Sequence, residues 1–218
     1  MILFERNAPY NDEALRNKAD IQELIQFERF CRDNYLWEGM LQCFSKDSRV
    51  NISWFDGTGE EFVESSKAMN RYAPHQIYNT QIWMNQHRVV AIMQATIQTR
   101  INIDNVEMQL NSDAKIIYCV EQLNGVWYIK NLECVYEKDT LIPVVPSTVT
   151  IPSSDIASYR TSYACLSYCL NYLGYEVNHE LQGIDRPEAL NHYYVQLDAW
   201  LTYQTNSLQK EDGSFEKD

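Results

Sequence analysis

Six cysteines and four histidines are the side chains of this 218-residue chain best suited to ligate a metal or to act as nucleophile or base. Cys165 and Cys169 stand four apart, a spacing at which two thiolates on one helix can share a metal. No His or carboxylate cluster completes a four-ligand set around them, so no metal is expected. Cys31, Cys43, Cys119 and Cys134 each lie in an apolar stretch, where a thiol behaves as a small hydrophobe. Reduced core thiols are therefore expected rather than disulfides. His87 sits beside Arg88 in an expected hairpin turn, and His179 and His192 read as structural or exposed. Arg100 could hold a substrate carboxylate or pair with a surface acid at a strand end. Gly57-Thr58-Gly59 is too short to cradle a phosphate and lacks the lysine of a P-loop, which argues against a nucleotide cofactor.

The elements that must position these groups are legible from periodicity. A polar arm, 1–15, carries no period and is expected to be loosely ordered. A helix is expected from Asp20, where Glu23 supplies the acid of a cap and Ile21, Leu24, Ile25, Glu28 and Cys31 form one stripe. A short helix over 36–44 follows, and 50–54 alternates as a strand. Asp56-Gly57-Thr58-Gly59 reads as a turn, and Thr58 with Glu61 is a capping-box pattern opening a helix to about Tyr72. Four β-rich segments, 75–85, 89–104, 106–123 and 126–136, are joined by breaks short enough to force antiparallel pairing, with Asn124-Gly125 the strongest hairpin signal. The third is expected to break near Asn111-Ser112-Asp113. In the second, Val89, Ala91, Met93, Ala95 and Ile97 mark a core face, whereas the other face turns polar from Gln94 onward.

A Pro-rich linker is expected over 143–154, then two helices over 155–204 and a disordered acidic tail over 205–218. The order predicts an α+β layer fold, with the early helices lying across one face of a strongly curved sheet. Eighteen basic against thirty acidic residues leave a net charge of −12, which disfavours nucleic acid and anionic lipid. No apolar run is long enough to span a membrane, and the first residues lack a basic and apolar leader, so a cytoplasmic location is expected.

Over about residues 15–140 the chain resembles the SnoaL-like, scytalone dehydratase-like group of the nuclear-transport-factor-2-like superfamily. The resemblance rests on Phe30-Cys31-Arg32-Asp33-Asn34, Trp37-Glu38, Leu41, Phe44 and Asp47, then Trp54-Phe55-Asp56-Gly57, Glu61-Phe62-Val63, His75 and Trp127-Tyr128-Ile129. It implies an α+β cone with a pocket between helices and concave sheet. It also implies no cofactor, a small-molecule ligand, and a homodimer or homotrimer. Dehydratases of this group use a helix Asp and a strand His, which correspond here to Asp33 and His75. Dehydration next to a carbonyl needs one group to take a C–H proton and another to protonate the leaving hydroxyl. A histidine near neutral pKa, oriented by a carboxylate, can do both. The second strand His of scytalone dehydratase has no counterpart at Gln94, Thr96, Gln98 or Arg100. Tyr35, Tyr72, Tyr78 and Arg100 are the candidates to replace it, and Trp54 is an expected pocket wall. Two other readings stay open: a non-catalytic ligand-binding or dimerisation module, and a partner subunit of a larger enzyme. The tyrosine-rich C-terminal helices are expected to pack on the sheet or on a sister subunit, with a lid over the pocket as the other possibility.

Overall fold

Asn11 opens the first helix: its side chain accepts the Ala14 N–H at 2.8 Å, and Asp12 and Glu13 place negative charge in the first turn. The computed structural model describes residues 2–6, 8–69, 71–146 and 151–203. In it α1 runs Asp12–Asp33, starting well before Asp20 because Asn11 is the stronger cap. Tyr35, at φ 60°, turns the chain into α2 (Trp37–Gln42), and β1 (Phe44–Ile52) follows. The expected turn at 56–59 is instead a short strand, β2 (Phe55–Thr58), paired antiparallel to β1. The capping box forms as expected: the Thr58 N–H donates to Glu61 Oε2 at 2.8 Å and the Glu61 N–H donates to Thr58 Oγ1 at 3.2 Å, opening α3 (Gly59–Met69). Gly59 allows α3 to lie against β1, since a Cβ there would stand 2.6 Å from the Phe44 ring.

The four predicted β segments become β3 (His75–Asn85), β4 (Arg88–Ile103), β5 (Val106–Leu123) and β6 (Val126–Pro143). Gln86, the Asp104-Asn105 pair and the Asn124-Gly125 pair all adopt positive φ at their turns, as tight hairpins require. The sheet order is β2-β1-β6-β5-β4-β3, antiparallel except where β1 runs parallel to β6. The expected break near residue 112 is a register shift between Asp113 and Ala114 within a continuous strand. With the shift between Ile77 and Asn79 it bends the sheet. β6 continues to Pro143, pairing Leu141 with Leu110, so the start of the expected linker is strand.

The first C-terminal helix splits into α4 (Ser153–Ala157) and α5 (Ala164–Tyr172), because Arg160 between them is drawn inward. Its guanidinium donates to the His179 carbonyl at 3.0 Å and to Asp185 at 3.0 and 2.5 Å. β7 (Gln182–Gly183) then pairs parallel to β6, and α6 (Pro187–Thr202) starts on Pro187.

Strand alternation divides the core in two. Val89, Ala91, Met93 and Ile116 face the concave side with α1, α3 and α5, whereas Val90, Ile92 and Ile117 face the convex side beneath Tyr193, Leu197 and Leu201 of α6. The arm expected to be loose is pinned to the convex face. Leu3 is buried there, and the Ile2 and Leu3 N–H groups donate to Asp198 Oδ1 at 2.6 and 2.8 Å. The tail over 205–218 and residues 147–150 of the linker lie outside the described residues. Among the described residues no helix is long and apolar enough to cross a membrane.

Candidate active site

Asp33 is the last residue of α1 and His75 the first of β3, so the site sits where a helix end crosses a sheet corner. Asp33 Oδ2 accepts the His75 backbone N–H at 2.8 Å, and Asp33 Oδ1 lies 2.7 Å from His75 Nδ1. A carboxylate can only accept, so Nδ1 carries the proton and Nε2, on the opposite ring edge, keeps its lone pair. The side chains are 7% exposed for His75 and 16% for Asp33. Burial lowers the His75 pKa below its ordinary 6.5 despite the hydrogen bond to Asp33, and Arg29 and Arg32 lower it further. Burial works against the Asp33 charge, but its hydrogen bonds to His75 and the pull of Arg29 outweigh it and hold the carboxyl below 3.8. The resting pair is thus an anionic Asp33 and a neutral His75.

Behind His75 lies a buried ionic chain. Arg29 Nη1 is 3.3 Å from His75 Nε2, and the same guanidinium makes a two-pronged pair with Glu28. The Tyr118 hydroxyl donates to Glu28 Oε2 at 3.2 Å. Burial opposes the Arg29 charge, but Glu28, Tyr118 and Asp33 together more than offset it and raise the guanidinium pKa.

His75 lines a cavity between α1, α3, α5 and the concave sheet face, with about 940 Å³ of atom-free space including its mouth. Its walls are largely apolar, with Trp54, Phe62, Ile97, Ile116 and Leu170 among them. The charged groups on its surface are Arg29, Arg32 and Arg71. Two phenols, Tyr136 and Tyr175, also reach it. The Tyr136 oxygen accepts the Ser53 N–H at 2.9 Å, and burial raises its pKa well above 10, so the phenol stays protonated.

Of the sequence-predicted residues, Asp33 and His75 are brought together and Trp54 lines the cavity with His75; the other four lie elsewhere. Tyr35 is 39% exposed and packs edge-on against Trp37. Tyr72 and Arg100 border a shallow exterior groove with Gln76 and Gln98. Arg100 pairs there with Glu107 at 3.3 Å, the surface reading of its sequence position. Tyr78 is 69% exposed and shares a 2.8 Å hydrogen bond with Thr96. The physical reason is strand parity: Gln94, Thr96, Gln98 and Arg100 belong to the convex face of β4, whereas Ile97, Thr99 and Ile101 line the cavity. The counterpart of the missing His was therefore sought one residue out of register. Glu28, Arg29 and Arg32 were not singled out, although Glu28 on an otherwise apolar stripe was their signal. Among the described residues no three His, Cys, Asp or Glu side chains gather as a metal site would need.

Comparison with solved structures gives the architecture its relatives. A candidate scytalone dehydratase of Novosphingobium aromaticivorans superposes with a TM-score of 0.51 at 17% identity, over 65% of this chain and 97% of its own. A hexachlorocyclohexane dehydrochlorinase of Novosphingobium barchaimii gives 0.51 at 16%, over 63% and 97%. The fold is nuclear-transport-factor-2-like. At such identities the likeness concerns the nuclear-transport-factor-2-like fold alone, and that fold hosts unrelated functions. By sequence the chain is 29% identical to an uncharacterized protein of Emericella nidulans, over 79% of this chain and 78% of that protein. It is 26% identical to pea pathogenicity protein 2 of Fusarium vanettenii, over 72% and 70%. No family model matches the sequence.

Proposed function

We propose that this protein is a cofactor-free lyase or isomerase, dehydratase-like in its chemistry, acting on a small and mostly apolar molecule. The observation that carries this reading is the Asp33–His75 pair, with Nδ1 held by a carboxylate at 2.7 Å and His75 lining an apolar cavity. His75 Nε2 takes a proton from a carbon next to a carbonyl, and Asp33 stabilises the imidazolium that forms. The electron pair of the broken C–H bond becomes the new double bond. The leaving hydroxyl departs as water after receiving a proton from the imidazolium, directly or through Tyr136 or Tyr175 as a relay that the imidazolium reprotonates, which returns His75 to its neutral form. In an isomerisation the imidazolium returns the proton to another carbon. The Arg29 guanidinium, beside Nε2, offsets negative charge developing on the carbonyl oxygen. A homodimer or homotrimer belongs to the same proposal, and sedimentation of the full chain tests it.

The experiment is proton NMR in D2O with β-hydroxy and β,γ-unsaturated carbonyl compounds. Solvent deuterium should enter the activated carbon with wild-type protein and not with Asp33→Asn or His75→Gln. Because the base must be neutral, the rate should fall only below pH 6.5, on the acid side of an ordinary histidine. Undiminished exchange in His75→Gln would sink the reading. A second reading, a non-catalytic binding module, is favoured by the contact of Arg29 with Nε2, which occupies the lone pair a base must offer. Saturable binding with no exchange in any compound would select it.

A further inference from the structure

The chain as a whole carries −12, yet the charges around its cavity lean the other way. Three cations, Arg29, Arg32 and Arg71, line the cavity, and the two anions beside them are already engaged. Glu28 is held by Arg29 and Tyr118, and Asp33 by the ring and backbone of His75. Arg32 is left over. It is 5% exposed, and among the described residues its guanidinium makes no hydrogen bond and no ion pair. Asp33 and Glu28 attract its charge without bonding to it, and the Trp37 ring stands 6.0 Å away, at the outer reach of a cation–π contact. Arg71, half-buried, follows it in part. Its buried Nε has no acceptor, and Nη1 reaches only the Arg100 carbonyl at 3.5 Å. The buried Ser112 hydroxyl, also on the cavity wall, is unpartnered as well. A buried guanidinium without an acceptor is costly, and a carboxylate matches its planar fork of donors.

We propose that the molecule held by this cavity is an amphiphilic carboxylic acid, its carboxylate received by Arg32 and Arg71 and its apolar body lying along Trp54, Phe62 and Leu170. This rests on the cavity being the ligand site of the proposed function, and it goes further by naming the charge. The apolar walls favour a single anionic group on a hydrocarbon or aromatic frame over a polyanion.

Isothermal titration of the full chain with matched pairs tests it: cinnamate against cinnamamide, 4-phenylbutyrate against 4-phenylbutanamide, octanoate against octanamide. In at least one pair the acid should bind about tenfold tighter or more than the amide. Arg32→Gln should erase that preference, the acid losing at least tenfold more affinity than its amide. Should Arg32→Gln not fold, Arg71→Gln should weaken the preference severalfold, and the wild-type comparison needs no variant at all. The proposal falls if amides bind as tightly as acids, if both variants keep the preference, or if no member binds up to about 10 mM. Failure here is separable from failure of the catalytic reading. Acid preference in wild type and His75→Gln without deuterium exchange leaves the anion site standing and removes the catalysis. Exchange on amides equal to that on acids does the reverse.

Discussion

The two faces of the sheet are built from the same strands and the same C-terminal extension, yet they end in opposite states. On the convex face α6 and the N-terminal arm fill the available space, and the polar groups brought there are answered: Asp198 accepts two backbone N–H groups, and the Trp83 ring N–H donates to the Glu5 carbonyl at 3.0 Å. On the concave face α5 borders a cavity, and the buried Arg32 guanidinium, the Arg71 Nε and the Ser112 hydroxyl have no hydrogen-bond partner among the described residues. Close packing and satisfied polar groups are what stabilise a fold. The concave face gives up both, which is how a site is made at the expense of the core.

Substitutions can break or sharpen this contrast. His75→Gln should reduce turnover by about 10²- to 10⁴-fold, roughly 3–5 kcal/mol on the barrier, with little change in melting temperature. Leu201→Ala on the convex face should cost about 3 kcal/mol of stability in denaturant titration and leave ligand affinity alone. Leu170→Ala, which already borders empty space, should cost roughly 1–2 kcal/mol but shift ligand affinity. Equal stability losses at the two leucines would erase the distinction between the faces. Arg32→Met should raise stability by about 1 kcal/mol while removing acid binding. Burial dominates the surroundings of Arg32, lowering its pKa even against the pull of Asp33 and Glu28. The smallest effect is on pH. His75 has a lowered pKa when folded, so below 6.5 the unfolded chain binds the proton first, and stability present at neutral pH is lost as pH falls. His75→Gln should lose less over that window in parallel thermal melts.

Much of the fold follows from local signals: the Thr58–Glu61 box, the hairpin at Asn124-Gly125 and the strand limits from residue 75 to 126 are short-range chemistry. What stayed hidden is long-range. Ser153 to Leu173 carries one continuous helical stripe, and nothing local reveals that Arg160 is pulled out of it by Asp185. Tyr-rich helices predict an interface, but α5 and α6 pack on opposite faces, which only the completed sheet decides. Within the site, Asp33 and His75 came from family pattern, while the arginines needed the cavity to be seen. Placing Gln94 through Arg100 depended on strand parity, where a slip of one residue exchanges inside for outside.

The contact between Ile2 and Asp198 joins positions almost at the two extremes of the described chain. Translation delivers them at opposite times. The arm is made before any strand of the sheet, but its carboxylate anchor arrives with α6, after those strands have been made. A nascent chain must therefore carry Val90, Ile92 and Ile117 uncovered until α6 has been made, a window in which chaperones would find this protein.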